Sequence, residues 1–232
     1  MTLVKICGVS DPKHARAAAA FGADFVGMVF APSKRQVTLG QAKSIAKALG
    51  KKPGDRLASS GVDTIEAALS ARRPLLVGVF ADQDADTINA IAEEVSLDLV
   101  QLSGAEPWEM NEHLLRPVLK CMKLRAKETA PEVLDHYHGG AVLLLDPFVE
   151  GTYGGTGQTL DWRVAGEIAR ETPTVLAGGL TPDNVAEAVR TVQPWAVDVS
   201  SGVETDGAKD TDKIRAFIMA AKSADAPAVE TV

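Results

Sequence analysis

The sequence predicts an α/β fold, a (β/α)8 barrel on eight parallel strands, and three observations predict it. Short apolar runs recur from end to end, each followed by a glycine, a polar or an acidic residue. Between one run and the next lies a stretch of helical character, several with recognisable start signals. Eight such pairs occupy nearly all of the 232 residues, and α/β barrels of this length are routinely one domain. An open doubly wound sheet is the competing arrangement, because strand count alone does not impose closure.

The strands are expected at Leu3–Cys7, Phe25–Phe30, Leu75–Phe80, Leu97–Leu102, Val118–Leu124, Ala141–Asp146, Thr174–Ala177 and Ala196–Val199. Helices are expected at Pro12–Phe21, Gly40–Leu49, Asp84–Glu94, Glu106–Leu115, Ala130–His136, Trp162–Arg170, Asp183–Val192 and Asp212–Lys222. Asp11-Pro12 reads as an N-cap followed by proline at the first helical position, and Thr181-Pro182-Asp183 repeats that logic. Two regions fall outside the rhythm. Lys51–Arg73 is a basic stretch with an extra helix expected over Asp63–Ala71, and Ser223–Val232 reads as a frayed tail. The expected organisation is one barrel domain over 1–222, with an insertion at 51–73 and a flexible tail over 223–232.

An apolar fraction of 46% supplies a substantial core and argues against disorder. No apolar run reaches the roughly 18 residues that a membrane span requires. The chain enters a strand at once, so no signal peptide is expected and a cytoplasmic location is. Two cysteines in unrelated contexts make no disulfide framework. A net charge of -7 argues against nucleic acid and anionic membrane as partners. A phosphate can still be held by backbone N–H groups.

In such a barrel the reactive groups gather at the carboxyl ends of the strands. Cys7 stands at the end of the first strand and before a glycine, and Asp146 closes the run Val142-Leu143-Leu144-Leu145. Cys7 reads either as a small buried hydrophobe or as a reactive thiol. Asp146 reads either as a loop cap or as a carboxyl whose pKa is raised by its apolar margin, which suits a general acid. Lys5 shares the strand face of Cys7, about 6.5 Å away, and is expected to lower the pKa of that thiol. Gly178-Gly179 after the seventh strand and Ser200-Ser201-Gly202 after the eighth resemble an anion cradle. The glycine-rich run Gly151–Gly157 is expected to act as a lid. Arg35 follows the second strand and reads either as a solvated loop charge or as a forked guanidinium that holds a carboxylate. His136 and His138 lack a nearby third ligand, so no metal is expected. Cys121 and the three tryptophans read as packing residues.

These residues are similar to those of the phosphoribosylanthranilate isomerases over nearly the whole chain. The matching stretches are Val4–Gly8, Phe21–Asp24, Leu144–Asp146, Gly154–Gly157 with Asp161-Trp162, Ala177–Leu180 before Pro182–Val185, and Val197–Glu204. The resemblance implies Cys7 as general base and Asp146 as general acid. It also implies Arg35 as the carboxylate holder, and Asp198, Gly179, Ser200, Ser201 and Gly202 as contacts to the ribose and phosphate. The implied reaction is an Amadori rearrangement of a phosphoribosyl amine in tryptophan biosynthesis, without metal or organic cofactor. The implied partner is a phosphorylated aminosugar, bound by a monomer or homodimer. Three departures stand out: Ser103 where the family commonly has histidine, a shorter loop before Arg35, and the insertion. The competing functions are the histidine-pathway aminoaldose isomerase, which resembles a two-aspartate machine, a dual-substrate enzyme, and a non-catalytic phosphosugar-binding barrel.

Overall fold

The computed structural model describes residues 1–52, 54, 55, 57, 61–148 and 160–224. Eight parallel strands close in chain order: β1 (Leu3–Ile6), β2 (Phe25–Val29), β3 (Leu75–Phe80), β4 (Leu99–Leu102), β5 (Val118–Leu124), β6 (Val142–Pro147), β7 (Thr174–Leu176) and β8 (Ala196–Val199). Leu3, Val4, Lys5 and Ile6 stand in register with Ala196, Val197, Asp198 and Val199, which seals the barrel and excludes the open sheet. The helices are α1 (Pro12–Ala20), α2 (Leu39–Ala48), α3 (Val62–Ala71), α4 (Ala85–Val95), α5 (Ala130–Asp135), α6 (Trp162–Glu171), α7 (Val185–Val192) and α8 (Thr211–Ser223). Among the described residues no helix is long and apolar enough to cross a membrane.

Strand alternation divides the apolar side chains into two groups. Val4, Ile6, Val26, Leu76, Val100, Leu143 and Val197 face the helices. Phe25, Leu75, Val77, Leu99, Leu119, Leu144 and Ala196 fill the barrel. The α3 insertion belongs with the second group, since Ile65 and Leu69 pack into the barrel interior. Its first turn shares a small cleft with Pro117, Val118, Val142 and Pro173, all at the amino-terminal ends of strands. The insertion therefore plugs the lower mouth of the barrel. Burial of each such aliphatic side chain contributes about 1.5–3 kcal/mol. Polar ties hold its two ends: Lys51 Nζ donates to the buried Asp98 carboxylate at 2.6 and 2.7 Å, and Arg72 and Arg73 pair with Asp98 and Asp24. Asp98 and Asp24 in turn accept from the backbone N–H groups of Leu76 and Val4, both at 2.8 Å.

Most expected elements are present within a residue or two, and Asp11 caps α1 by accepting from the His14 N–H at 3.0 Å. Two expectations fail. The helix expected over Glu106–Leu115 is only a 3-10 turn, Trp108–His113. Glu106 is drawn out of any helix because its carboxylate accepts from Asp82 N at 2.9 Å and Gly104 N at 3.0 Å, and its carbonyl from Lys120 Nζ at 2.6 Å. At the seventh helix Thr181 is not the cap, and α7 starts at Val185. Asn184 instead folds back, accepting from Thr181 N at 2.8 Å and donating to the Gly179 carbonyl at 3.0 Å. The glycine loop after β7 is thereby tied to the helix that follows it. The glycine-rich run Gly151–Gly157 lies outside the described residues, as do residues 225–232 of the expected tail; Ser223 ends α8.

Candidate active site

A cavity of about 360 Å³ opens at the carboxyl-terminal mouth of the barrel. All eight candidate residues line it: Cys7, Arg35, Asp146, Gly179, Asp198, Ser200, Ser201 and Gly202. Its remaining walls include Val29, Val79 and Leu144 from the strands beneath, and Ala177 directly after β7. Residues up to 195 positions apart in sequence thus share one chamber because every strand runs in the same direction.

Cys7 follows β1, and its N–H continues the ladder to the Val199 carbonyl at 2.8 Å. Two residues earlier, Lys5 is fully buried and donates to Asp198 Oδ1 at 2.9 Å. A lone ammonium in this interior would cost several kcal/mol, which the facing carboxylate offsets. Burial pulls the Lys5 pKa down, but the charges of Asp198 and Cys7 outweigh it, so the net shift is upward and Lys5 stays an ammonium. The expected depression of the Cys7 pKa is not what results. Burial pushes the thiol up and the Asp198 charge adds to this, while Lys5 and Lys209 pull down without prevailing. Lys5 acts in the expected direction, but Asp198 cancels much of its field and desolvation decides the sign.

Asp146 faces the same chamber from β6, which continues through it to Pro147, so its carboxyl is a strand residue and not a loop cap. Burial, with the Asp198 charge second, raises its pKa from 3.8 to about 7, against smaller opposing effects of Lys123 and Lys5. The apolar margin read from the sequence has the predicted consequence, an acid protonated to a useful degree near neutral pH.

The opposite wall is made by two loops. Gly178 and Gly179 take φ values of 87° and 61°, and Ser201–Val203 forms a 3-10 turn directly after β8. These loops touch at Gly202, where any Cβ would run into the Leu180 carbonyl. The surface here is backbone and small hydroxyls, the composition of an anion cradle.

Arg35 is already engaged. Its Nε donates to Glu204 Oε1 at 2.6 Å and its Nη2 to Oε2 at 2.8 Å, a bidentate pair across 169 positions. Its aliphatic stem passes over Gly8, where a Cβ would strike Arg35 Cδ and approach Ser200 Oγ to 3.0 Å. Lys209 completes the group, donating to Glu204 Oε1 at 2.7 Å and to the Ser200 carbonyl at 2.8 Å. Burial opposes the ionisation of Glu204, but its hydrogen bonds to Arg35 and Lys209 prevail and hold its pKa at about 2.

Sequence reasoning assigned no role to Glu204, Lys209 or Gln101. Gln101 was legible in principle, as the single polar residue in the run Leu99-Val100-Gln101-Leu102. It lines the cavity and donates to Ser103 Oγ at 3.0 Å, so Ser103 is a partner within the wall. Lys209 had no local signal at all. Cys121 is buried as expected and forms part of the cavity wall; burial, and then Asp146, push its thiol far up, leaving it inert.

Two titratable groups, held on separate strand ends with unlike environments, place the protein among (β/α)8-barrel enzymes of acid–base chemistry. Comparison with known proteins is more specific. Residues 56–220 match the family model described as N-(5'phosphoribosyl)anthranilate (PRA) isomerase. The N-(5'-phosphoribosyl)anthranilate isomerase of Roseiflexus castenholzii is 46% identical over 224 residues, covering 96% of this chain and 99% of that one. The chain belongs to the phosphoribosylanthranilate isomerase family. In three dimensions it is similar to the crystal structure of the Thermotoga maritima enzyme, with a TM-score of 0.78 and 32% identity over 96% of this chain and 100% of the other. A family structure in complex with reduced 1-(o-carboxyphenylamino)-1-deoxyribulose 5-phosphate gives a TM-score of 0.75, also at 32% identity, over 96% and 100% of the two chains.

Proposed function

We propose that this chain isomerises N-(5'-phosphoribosyl)anthranilate to 1-(2-carboxyphenylamino)-1-deoxyribulose 5-phosphate in tryptophan biosynthesis, with Asp146 as general acid and Cys7 as general base. The observation that carries the residue roles is the shared chamber: thiol, neutral-range carboxyl and backbone cradle face one space of about 360 Å³. Family membership supports the reaction.

The chemistry balances within the substrate. Asp146 gives its proton to the furanose ring oxygen as the bond from that oxygen to C1 breaks, and the nitrogen lone pair forms an iminium. The Cys7 thiolate takes the proton from C2, and that electron pair closes the enolamine. Tautomerisation then returns a proton to C1 and leaves a ketone at C2. The C1 carbon is reduced and C2 oxidised, so no outside oxidant is consumed. The Lys5 ammonium stands beside the thiolate that the second step needs, and the phosphate is anchored by the loops of Gly179, Ser200, Ser201 and Gly202. Arg35 takes the anthranilate carboxylate. The acting form is a cytoplasmic monomer or homodimer.

The test is to follow loss of the phosphoribosyl amine with the unaltered protein, Cys7→Ala and Asp146→Asn. Each variant is expected to lose about 10²–10⁴-fold in rate. Full activity in either variant would remove that residue from its role. The histidine-pathway aminoaldose, run in parallel, is expected to turn over poorly, since a thiol stands where that chemistry uses a carboxylate.

A further inference from the structure

The guanidinium of Arg35 has five N–H donors arranged as two forks. Glu204 occupies one fork, the Nε and Nη2 edge, with both contacts at or below 2.8 Å. Arg35 lines the cavity, and among the described residues Glu204 is its only carboxylate partner. The fork that remains is the Nη1–Nη2 edge, which has the spacing of a second carboxylate. Arg35 itself comes from a loop, and an unsupported arginine there would sample many rotamers.

Glu204 is, in contrast, held from several sides. Its Oε1 also accepts from Lys209 Nζ at 2.7 Å, and its backbone carbonyl accepts from Lys213 Nζ at 2.8 Å. Glu204 and Lys209 are paired across a two-residue antiparallel hairpin, so the two are locked in register. Lys209 further donates to the Ser200 carbonyl at 2.8 Å, in the loop that forms the anion cradle. The side chains of Lys209 and Glu204 are 3% and 7% exposed, so the pair is shielded from solvent screening.

We propose that Glu204, braced by Lys209, is a positioning residue for carboxylate recognition: it fixes one edge of Arg35 so that the other edge is presented to the carboxylate of the aromatic amine substrate. This deepens the functional reading above and rests on it. The two cations share Glu204, so the bound molecule meets a preorganised donor set and not a mobile loop arginine.

The test uses two stable ligands, the reduced product analogue 1-(2-carboxyphenylamino)-1-deoxyribitol 5-phosphate and the same molecule lacking its carboxylate, with Kd measured by calorimetry. In the unaltered protein the carboxylate is expected to improve affinity. In Glu204→Gln this improvement is expected to shrink about tenfold, in line with loss of an oriented charge-assisted contact, while Kd for the ligand without the carboxylate is unchanged. Glu204→Asp, which keeps the charge, is expected to restore part of the preference. Equal weakening of both ligands in Glu204→Gln would show a merely structural role, and no weakening of either would show no role; each overturns the proposal. Turnover of the phosphoribosyl amine by the unaltered protein, assayed alongside, reports on the functional reading separately: a catalytically active protein with an unchanged carboxylate preference in Glu204→Gln sinks this inference alone.

Discussion

Replacing Asp146 by asparagine should stabilise the protein while slowing its chemistry about 10²–10⁴-fold, and the gain in stability should depend on pH. The carboxyl titrates at about 7 in the folded chain and near 3.8 in the unfolded one. The folded state therefore holds its proton more tightly, and stability is lost as pH rises through the window between these two values. The difference between 3.8 and about 7, at 1.36 kcal/mol for each tenfold change in proton affinity, amounts to about 4 kcal/mol, fully expressed by pH 8. Asparagine keeps the shape and has no charge to bury. Asp146→Asn should then be more stable by about 4 kcal/mol at pH 8 and by about 2 kcal/mol at pH 5, where part of the penalty has already disappeared. For a chain of this size the difference at pH 8 corresponds to a rise in Tm of about 8–16 °C. Urea unfolding of both proteins at the two pH values measures it. A gain independent of pH, or a loss at pH 8, would refute the argument that desolvation is what raises this carboxyl.

The remaining predictions follow from the same groups. The pH profile of kcat/KM should be bell-shaped, with an acid limb near 7 and an alkaline limb above the ordinary thiol value of 9.0. The pair must lose one proton in total, and the active form, thiolate with protonated carboxyl, is a minor tautomer of that state; steady-state rates in Asp146→Asn should lack the limb near 7. Lys5→Met should raise the apparent pKa of Cys7 in alkylation assays, because Lys5 pulls it down. The same change should destabilise by about 3–5 kcal/mol by leaving Asp198 buried without its cation; an unmoved thiol pKa would refute the coupling. Ile65→Ala in the lower plug should cost about 2–5 kcal/mol in urea unfolding with kcat unchanged, since it lies at the mouth opposite the cavity.

The architecture was legible because it is written in local patterns. Alternating apolar and helical runs name eight units, and a parallel arrangement then carries Cys7, Asp146 and the two loops to one rim without further information. The Glu106–Leu115 segment misled because its helical composition was overridden by Lys120, Asp82 and Gly104, which claim Glu106 for a different network. Ser103 read as a departure, yet its meaning lies in the hydrogen bond from Gln101, two residues earlier in β4. The insertion could be located by length, but nothing in its composition said that Ile65 and Leu69 would reach into the barrel.

The sequence by itself marked the eight β/α units and the residues that stand at the strand ends, because these follow from spacing, whereas closure of the barrel and the choice between a loop cap and a raised pKa at Asp146 waited on the structure. Only the tertiary structure decided the net pKa direction of Cys7, the partner of Arg35 and the place of α3. Those outcomes depend on desolvation and on charges brought together across large separations, 193 positions for Lys5 with Asp198 and 169 for Arg35 with Glu204. Coulomb energy and burial depend on distance in space, and the chain order of the residues carries no measure of that until the barrel has closed.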